Sequence, residues 1–105
     1  MNFNLDSEKF KSLLADTNSV ILDVRTEREH NEKRIPNSIL IDFYSENFAE
    51  KIFNLDKAKK YLVYCRSGSR SFQTCVFMQQ IGFTKVFNLK NGLLDWEGEI
   101  ESDFK

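Results

Sequence analysis

The residues best suited to chemistry in this chain lie in one short segment, from Cys65 to Ser71. It reads Cys-Arg-Ser-Gly-Ser-Arg-Ser, so a thiol is followed closely by two cations and a glycine. The N–H groups of such a loop can form an anion-binding nest, and nearby cations favour the thiolate form of a cysteine. Gly68 allows a positive φ and a close backbone approach. We therefore expect Cys65 to be a nucleophile.

Two secondary-structure elements must position this loop. Residues 61–64, Tyr-Leu-Val-Tyr, form an apolar run that is typical of a buried strand ending at Cys65. Residues 71–80 contain no glycine or proline and repeat apolar side chains at helical spacing, which predicts a helix beginning near Arg70. Ligands bind open α/β sheets at the carboxyl ends of strands, and this pattern places Cys65 at such an end.

The first half of the sequence predicts helices that alternate with strands. Asp6 is expected to cap a helix, and residues 20–22 and 39–41 are apolar runs that predict strands. Residues 26–34 carry three basic and three acidic side chains, which alone would indicate a solvated surface connection. Ser45 is expected to cap a further helix. The inward-facing residues of that helix are predicted to be Phe48, Ile52 and Phe53.

The second half predicts one more strand, centred on Val86, after Gly82 ends the long helix. Residues 99–105 are polar, and we expect them to fray. The whole pattern predicts an α/β fold, with a central, mostly parallel sheet of about five strands and helices on both faces. A chain of 105 residues is expected to form a single domain over residues 1–105.

Composition excludes several classes of partner. Fifteen basic and sixteen acidic residues give a net charge of −1, without the basic clusters of a nucleic-acid-binding domain. No apolar stretch reaches the length of a membrane span, and the first six residues lack the features of a signal peptide. We therefore expect a cytoplasmic monomer with no nucleic-acid or membrane partner. Two cysteines and one histidine do not suit a structural zinc site, and we expect no metal and no cofactor.

The segment from Cys65 to Ser71 resembles the active-site loop of the rhodanese-like sulfurtransferases, in which a cysteine ends a strand and opens a six-residue cradle. Asp23-Val24-Arg25, followed by Glu29 and by Ile35-Pro36, is similar to a first signature of that family. A turn before Trp96 is similar to another. The resemblance extends from about Leu5 to Trp96 and implies a three-layer rhodanese-like fold.

The resemblance also implies an activity. In the family, the cysteine takes a sulfane sulfur from thiosulfate or from a persulfide donor, carries it as a persulfide, and passes it to a thiophilic acceptor. The implied partner is a small anionic sulfur donor, or the persulfide or thiol of another protein. Asp23, Arg25 and Glu29 are implied to support the site. The implied substrate-binding residues are Arg66, Ser67, Gly68, Ser69 and Arg70, and Arg70 could instead brace the loop.

Two alternatives stay open beside sulfur transfer. Cysteine-dependent phosphatases and arsenate reductases use a similar cradle, with five residues between the cysteine and an arginine. Here the arginine comes one place earlier, at Arg70, and Ser71 stands at the expected position. The shorter loop favours sulfur transfer over phosphate or arsenate chemistry. The second alternative is a non-catalytic persulfide carrier or binding module.

Two further residues are assigned structural positions. Cys75 falls on the apolar face of the predicted helix, so we expect it to pack in the core and not to resolve a disulfide with Cys65. His30 is the only histidine, and we expect it at the surface or at the rim of the site.

Overall fold

The computed structural model describes residues 3–103. The strands within this range are β1 (Asn4–Leu5), β2 (Ser19–Asp23), β3 (Ile39–Leu40), β4 (Lys60–Tyr64) and β5 (Val86–Leu89). The α-helices are α1 (Ser7–Leu13), α2 (Glu27–Glu32), α3 (Phe48–Phe53) and α4 (Ser69–Gln80), and a 3-10 helix covers Gly92–Asp95. None of these helices is long and apolar enough to cross a membrane.

The five strands form one sheet in the order β1-β5-β4-β2-β3, and every neighbouring pair is parallel. β4 lies at the centre, between β2 and β5. Asp23 pairs with Tyr64, so β2 and β4 end side by side at the same edge of the sheet. The predicted fold class is confirmed, and the sheet is parallel throughout.

Alternate side chains of β4 enter two separate cores. Tyr61 and Val63 pack with Ile52 of α3 and Met78 of α4 on one face. On the other face, Leu62 and Tyr64 join a second group of buried side chains. Those neighbours are Phe10 of α1, Ile35, Leu89 and Leu93. Helices therefore cover both faces, as predicted, and the sheet is the middle of three layers.

Helix α2 lies within the charge-rich segment for which charge alone indicates a surface connection: the segment has no buried residue in α2, as expected, but it is helical and not an irregular connection. Thr26 caps the helix: its side-chain oxygen accepts from the N–H of Glu29 at 3.2 Å, and its own N–H donates to the Glu29 carboxylate at 3.0 Å. This reciprocal pair of hydrogen bonds is a capping box, which the Thr-x-x-Glu spacing specifies. The sequence therefore contains a helix-start signal, the Thr26-x-x-Glu29 spacing, which a count of charges does not detect.

Helix α3 begins later than predicted. Asn47 precedes it without a side-chain cap, and the Ser45 hydroxyl donates to the carbonyl of Asp42 at 3.0 Å instead. Ile52 is buried as expected. Phe53 is 58% exposed, so its predicted inward orientation is wrong. The Lys57 ammonium lies 4.5 Å from the centre of the Phe53 ring, which gives that exposed ring a cationic neighbour.

The end of the described chain is held against α2, and the prediction that it frays is wrong as far as Asp103. Arg34 and Glu101 form an antiparallel bridge with backbone hydrogen bonds of 2.9 and 2.8 Å. The Arg34 guanidinium also pairs with the carboxylates of Glu101 and Asp103. Residues 104–105 lie outside the described range.

Candidate active site

Cys65 is the first residue after β4, and three donors converge on its sulfur. Sγ accepts from the N–H of Gly68 at 3.1 Å, from the N–H of Ser71 at 3.4 Å, and from the Ser71 hydroxyl at 3.3 Å. The residue is fully buried. The donors nevertheless give the sulfur a polar setting that suits negative charge, unlike the purely apolar surroundings of a packing cysteine.

The start of α4 explains why these N–H groups are available. Gly68 is the N-cap residue and has a φ of 95°, a conformation that glycine adopts without strain. Ser71 lies in the first turn, where backbone N–H groups have no partner within the helix. Such N–H groups carry partial positive charge and bind anions. Helix and loop therefore both direct donors at the sulfur of Cys65.

Residues 88–94, which we call the anchoring segment, hold the loop from the other side. The N–H of Leu93 donates to the carbonyl of Cys65 at 3.1 Å, and that of Leu94 donates to the carbonyl of Arg66 at 3.2 Å. A Cβ on Gly92 would lie only 2.3 Å from the Arg66 carbonyl oxygen. The backbones are therefore in direct contact, and only glycine fits at position 92.

Arg70 is turned toward a neighbouring helix. Its guanidinium donates to both carboxylate oxygens of Glu29, at 2.9 and 3.0 Å. These bonds lower the pKa of Glu29 to about 2. The Tyr44 ring also lies beside the guanidinium, with its centre 5.7 Å from Cζ. This geometry favours a brace for the loop over direct contact with a donor.

The three remaining loop residues predicted to bind substrate, Arg66, Ser67 and Ser69, are exposed. Arg66 lines a cleft of about 310 Å³ between the loop and α2. The other residues that line it are Arg25, Glu29, Glu32, Lys33, Leu93 and Leu94. Cys65 itself does not line this cleft, and its side chain packs in the core with Val63 of β4 and Cys75 of α4.

Asp23 and Arg25 form a buried ion pair beside the site, not at the sulfur. The Arg25 guanidinium donates to both carboxylate oxygens of Asp23, at 3.0 and 2.8 Å, and to the carbonyl of Lys33. The Tyr64 hydroxyl also donates to Asp23, at 2.9 Å. Burial and the charge of Asp23 raise the pKa of Tyr64 above its usual range. The pair therefore ties the end of β2 to β4 and α2, in keeping with a supporting role.

His30 is part of the same cluster and is only partly exposed, which agrees with a position at the rim and not with a freely solvated one. Its side chain is 15% exposed, and Nδ1 lies 2.9 Å from the Asp23 carboxylate.

Cys75 is buried in α4 as predicted, and burial raises the pKa of its thiol to about 12. A thiol of this kind stays protonated at neutral pH, in agreement with a packing role. In residues 3–103 no group of three or more His, Cys, Asp or Glu side chains is placed to hold a metal ion.

Sequence reasoning missed two residues of this site. Ser71 contributes two of the three donors to the sulfur, yet the predicted substrate-binding residues end at Arg70 and give Ser71 no role. Its position three residues after Gly68, where a helix start leaves an N–H free, was the available signal. Asn88 is a buried amide in β5 that donates to the carbonyl of Gly68 at 3.2 Å. A polar residue within an otherwise apolar strand was the signal there.

Comparison with known proteins agrees with this geometry. The profile of the rhodanese-like domain matches residues 6–99. A sulfurtransferase of Allochromatium vinosum is 34% identical over 93 residues, which cover 88% of this chain and 85% of that protein. The crystal structure of a rhodanese-like domain protein from Staphylococcus aureus superimposes with a TM-score of 0.81 at 25% identity, covering 97% of this chain and 98% of the other.

A tRNA uridine(34) hydroxylase of Cytophaga hutchinsonii is also similar, with 34% identity over 96 residues. That match covers 89% of this chain but only 31% of the hydroxylase, so it concerns one part of a longer protein. The profile match spans most of the chain, and the sheet order and the loop geometry accord with it. The chain belongs to the rhodanese-like domain family.

Proposed function

We propose that this chain is a sulfurtransferase that carries a sulfane sulfur on Cys65 as a persulfide. One observation carries the proposal: three hydrogen-bond donors from Gly68 and Ser71 converge on Sγ at 3.1 to 3.4 Å. Donors in this arrangement stabilise negative charge on sulfur, both on a thiolate and on the outer sulfur of a persulfide. The name of the Allochromatium vinosum relative, a sulfurtransferase, supports the same reaction class.

In the first half-reaction, the Cys65 thiolate attacks the outer sulfur of the donor. A new S–S bond forms to Sγ while the donor's own bond to that sulfur breaks. Thiosulfate would release sulfite, and a persulfide donor would release its thiolate. The electron pair leaves with the departing group, so no external oxidant or reductant is required. The enzyme then holds the charged outer sulfur beside the loop N–H groups.

In the second half-reaction, a thiophilic acceptor attacks the outer sulfur of the persulfide. The S–S bond on Cys65 breaks, its electron pair returns to Sγ, and the thiolate is restored. A cyanide ion, a small thiol or a cysteine of another protein can serve as acceptor in this scheme. Because the two substrates react in separate steps, the proposal predicts ping-pong kinetics.

Two loop arginines receive different roles in this proposal. Arg66 is exposed and lines the cleft beside the loop, so it is placed to attract an anionic donor. Arg70 is held by Glu29 and maintains the shape of the loop. A donor with an anionic group fits this division of roles. Thiosulfate is one example, and the persulfide of a thiol that carries a carboxylate is another.

Mass spectrometry of the intact protein tests the proposal. After treatment with thiosulfate, or with a small persulfide, the protein should gain one sulfur atom at Cys65 and lose it when cyanide is added. Cys65→Ser should abolish both the gain and the catalysed transfer. Cys75→Ser is the matched control and should keep most of the activity, because that thiol is buried away from the donors.

The same preparations distinguish the alternatives. Hydrolysis of an aryl phosphate that depends on Cys65, without any sulfur gain, would replace sulfur transfer with phosphatase chemistry. Sulfur gain without turnover by small acceptors would identify a persulfide carrier that serves a partner protein. Failure to gain sulfur from both kinds of donor would refute the proposal. Hydroxylation is not proposed, because the chain matches only 31% of the Cytophaga hutchinsonii hydroxylase.

A further inference from the structure

Asn88 is a buried polar residue at the back of the Cys65 loop. It lies in β5, is 1% exposed, and pairs with Val63 of β4 and Asn4 of β1. Its side-chain Nδ2 donates to the Asn4 side-chain oxygen at 2.8 Å and to the Gly68 carbonyl at 3.2 Å. Both hydrogens of the amide are therefore used, and one of them reaches the loop that carries the nucleophile.

Within residues 3–103, the carbonyl oxygen of the Asn88 side-chain amide accepts no hydrogen bond. Asn88 Oδ1 is buried and has no hydrogen-bond partner among the described residues. An unsatisfied buried acceptor is destabilising, and an apolar side chain of similar size would avoid that penalty. Packing alone therefore does not account for an amide at this position. The two donated hydrogen bonds are what a leucine could not supply.

The bond to Gly68 fixes the direction of a peptide group at the site. The peptide between Gly68 and Ser69 is trans, and the Gly68 carbonyl also accepts from the N–H of Phe72 at 3.1 Å. In a planar trans peptide, N–H and C=O point in opposite directions. Two donors on the Gly68 carbonyl therefore turn the N–H of Ser69 away from β5. They also hold Gly68 itself, whose N–H faces Cys65 Sγ.

Asn88 completes a row of contacts from the anchoring segment. Leu93 and Leu94 hold the carbonyls of Cys65 and Arg66, and Asn88 holds the carbonyl of Gly68. Of these three, only the bond from Asn88 comes from a side chain, so only this one can be removed by substitution without altering the backbone.

We propose that Asn88 is a positioning residue of the Cys65 site: its side-chain amide holds the Gly68 carbonyl and thereby keeps the loop N–H groups directed at sulfur. Its importance for catalysis rests on the proposed function, but its effect on the Cys65 thiolate does not. The residue acts through Gly68 and makes no contact of its own with the substrate in this proposal.

The test compares two variants of Asn88 with a variant of its other partner. Asn88→Leu keeps the approximate size and removes both donors, and Asn88→Ala removes them in a smaller side chain. Asn4→Ala is the control, because it removes the acceptor in β1 and leaves the bond to Gly68. The readout is the pH profile of Cys65 alkylation by iodoacetamide, with the modified residue identified by mass spectrometry. The midpoint of that profile reports thiolate formation, whereas its plateau reports access to the sulfur.

We expect the midpoint to move up by about one pH unit in both Asn88 variants, since a hydrogen-bond network to a charged group is weakened. Asn4→Ala should leave the midpoint within a few tenths of a unit of the native value. An unchanged midpoint in the Asn88 variants would overturn the proposal. An equal shift in Asn4→Ala would also overturn it, because the effect would then come from the link between β1 and β5.

A measurement on the native protein covers the case in which the variants do not fold. In ¹⁵N-labelled protein, the side-chain Nδ2 resonances of Asn88 should move with pH at the same midpoint as Cys65 alkylation. Resonances that stay constant through that midpoint would refute the coupling. Neither readout needs a sulfur donor. A native protein that gains no sulfur but shows the Asn88 effect therefore contradicts only the proposed function, and the reverse result contradicts only the positioning role.

Discussion

Glu29 and Arg70 lie on different helices and are joined by two hydrogen bonds of 2.9 and 3.0 Å between the carboxylate and the guanidinium. Glu29 belongs to α2, and Arg70 lies in the first turn of α4, directly before Ser71. The pair therefore connects α2, which lies outside the Cys65 loop, to Arg70 at the end of that loop. Bidentate pairs of this kind fix orientation as well as distance.

Replacing Glu29 with Gln should lower stability in a pH-dependent way. The folded protein holds the pKa of Glu29 at about 2, below its ordinary value of 4.5. A lowered carboxylate pKa adds stability above the unfolded value, and this contribution disappears as pH falls from about 4.5 to about 2. The pair is partly exposed, so we expect a loss of about 1 kcal/mol at pH 7. Urea denaturation at several pH values measures the difference between native protein and variant.

Glu32→Gln is the matched control for that experiment. It makes the same substitution on the same helix, but Glu32 pairs with Arg28, and both side chains are largely exposed. Its effect at pH 7 should be smaller than that of Glu29→Gln. Equal effects, or a difference for Glu29→Gln that persists at pH 2, would show that the ion pair with Arg70 does not stabilise the fold.

Gly92→Ala should displace the Cys65 loop. The added Cβ would lie 2.3 Å from the Arg66 carbonyl oxygen and 2.5 Å from that of Cys65, and backbone atoms cannot rotate aside. We expect a loss of about 2 kcal/mol or more in stability, together with a large loss of persulfide formation at Cys65. Thermal unfolding and mass spectrometry after donor treatment measure the two effects.

Gly82→Ala is the control for the Gly92 experiment, because it introduces backbone strain at a positive φ without a steric clash against the Cys65 loop. Gly82 also has a positive φ, 105°, but its Cβ would meet only the Lys57 side chain, at 3.5 Å. It should cost about 1 to 2 kcal/mol through backbone strain while persulfide formation per folded molecule stays near native. If Gly92→Ala formed persulfide as well as Gly82→Ala does, the contact with the loop carbonyls would have no functional importance.

Ser71→Ala should slow sulfur uptake without abolishing it. The substitution removes the hydroxyl that donates to Cys65 Sγ at 3.3 Å and leaves the backbone N–H of the same residue in place. Loss of one of three donors to a charged sulfur should reduce the rate of persulfide formation about tenfold. Ser69→Ala is the control, since Ser69 lies in the same helical turn and is exposed. Similar rates in both variants would contradict a role for the Ser71 hydroxyl.

The two cysteines should differ sharply in reactivity. Burial raises the pKa of Cys75 to about 12, so its thiol is protonated, and therefore unreactive, up to at least pH 9. In native protein at pH 8, iodoacetamide should modify Cys65 and leave Cys75 intact, whereas both should react in denaturant. Peptide mapping distinguishes the two sites. Rapid labelling of Cys75 in the native protein would contradict its assignment to the core.

The central elements were predictable because their signals are local. Residues 61–64 form a continuous apolar run, and the helix that follows has a clear start and a glycine at its end. β1 was missed because it has only two residues and depends on β5, some 80 positions further along the chain. Phe53 was misplaced because helical periodicity identifies an apolar face but not the residue at which the helix leaves the core.

The site was predictable to a similar extent. The loop, its cysteine and its glycine follow a compact pattern, and so does the Asp23-Val24-Arg25 signature. Two of the partners that fix them come from distant segments: Glu29 for Arg70 and Asn88 for Gly68. A single sequence does not state which distant polar groups meet, because that depends on strand order. These long-range contacts are therefore visible only in the folded chain.

The length of the two edge strands affects how readily the sheet can pair with a strand of another molecule. Both outermost strands, β1 and β3, contain only two residues each. An extended segment of another molecule would find too few free backbone groups there for a stable ladder, and such brevity is one way in which proteins avoid fibril-like aggregation. The short edges therefore offer less for strand addition than the side-chain surfaces of the domain do, among them the exposed residues of the Cys65 loop.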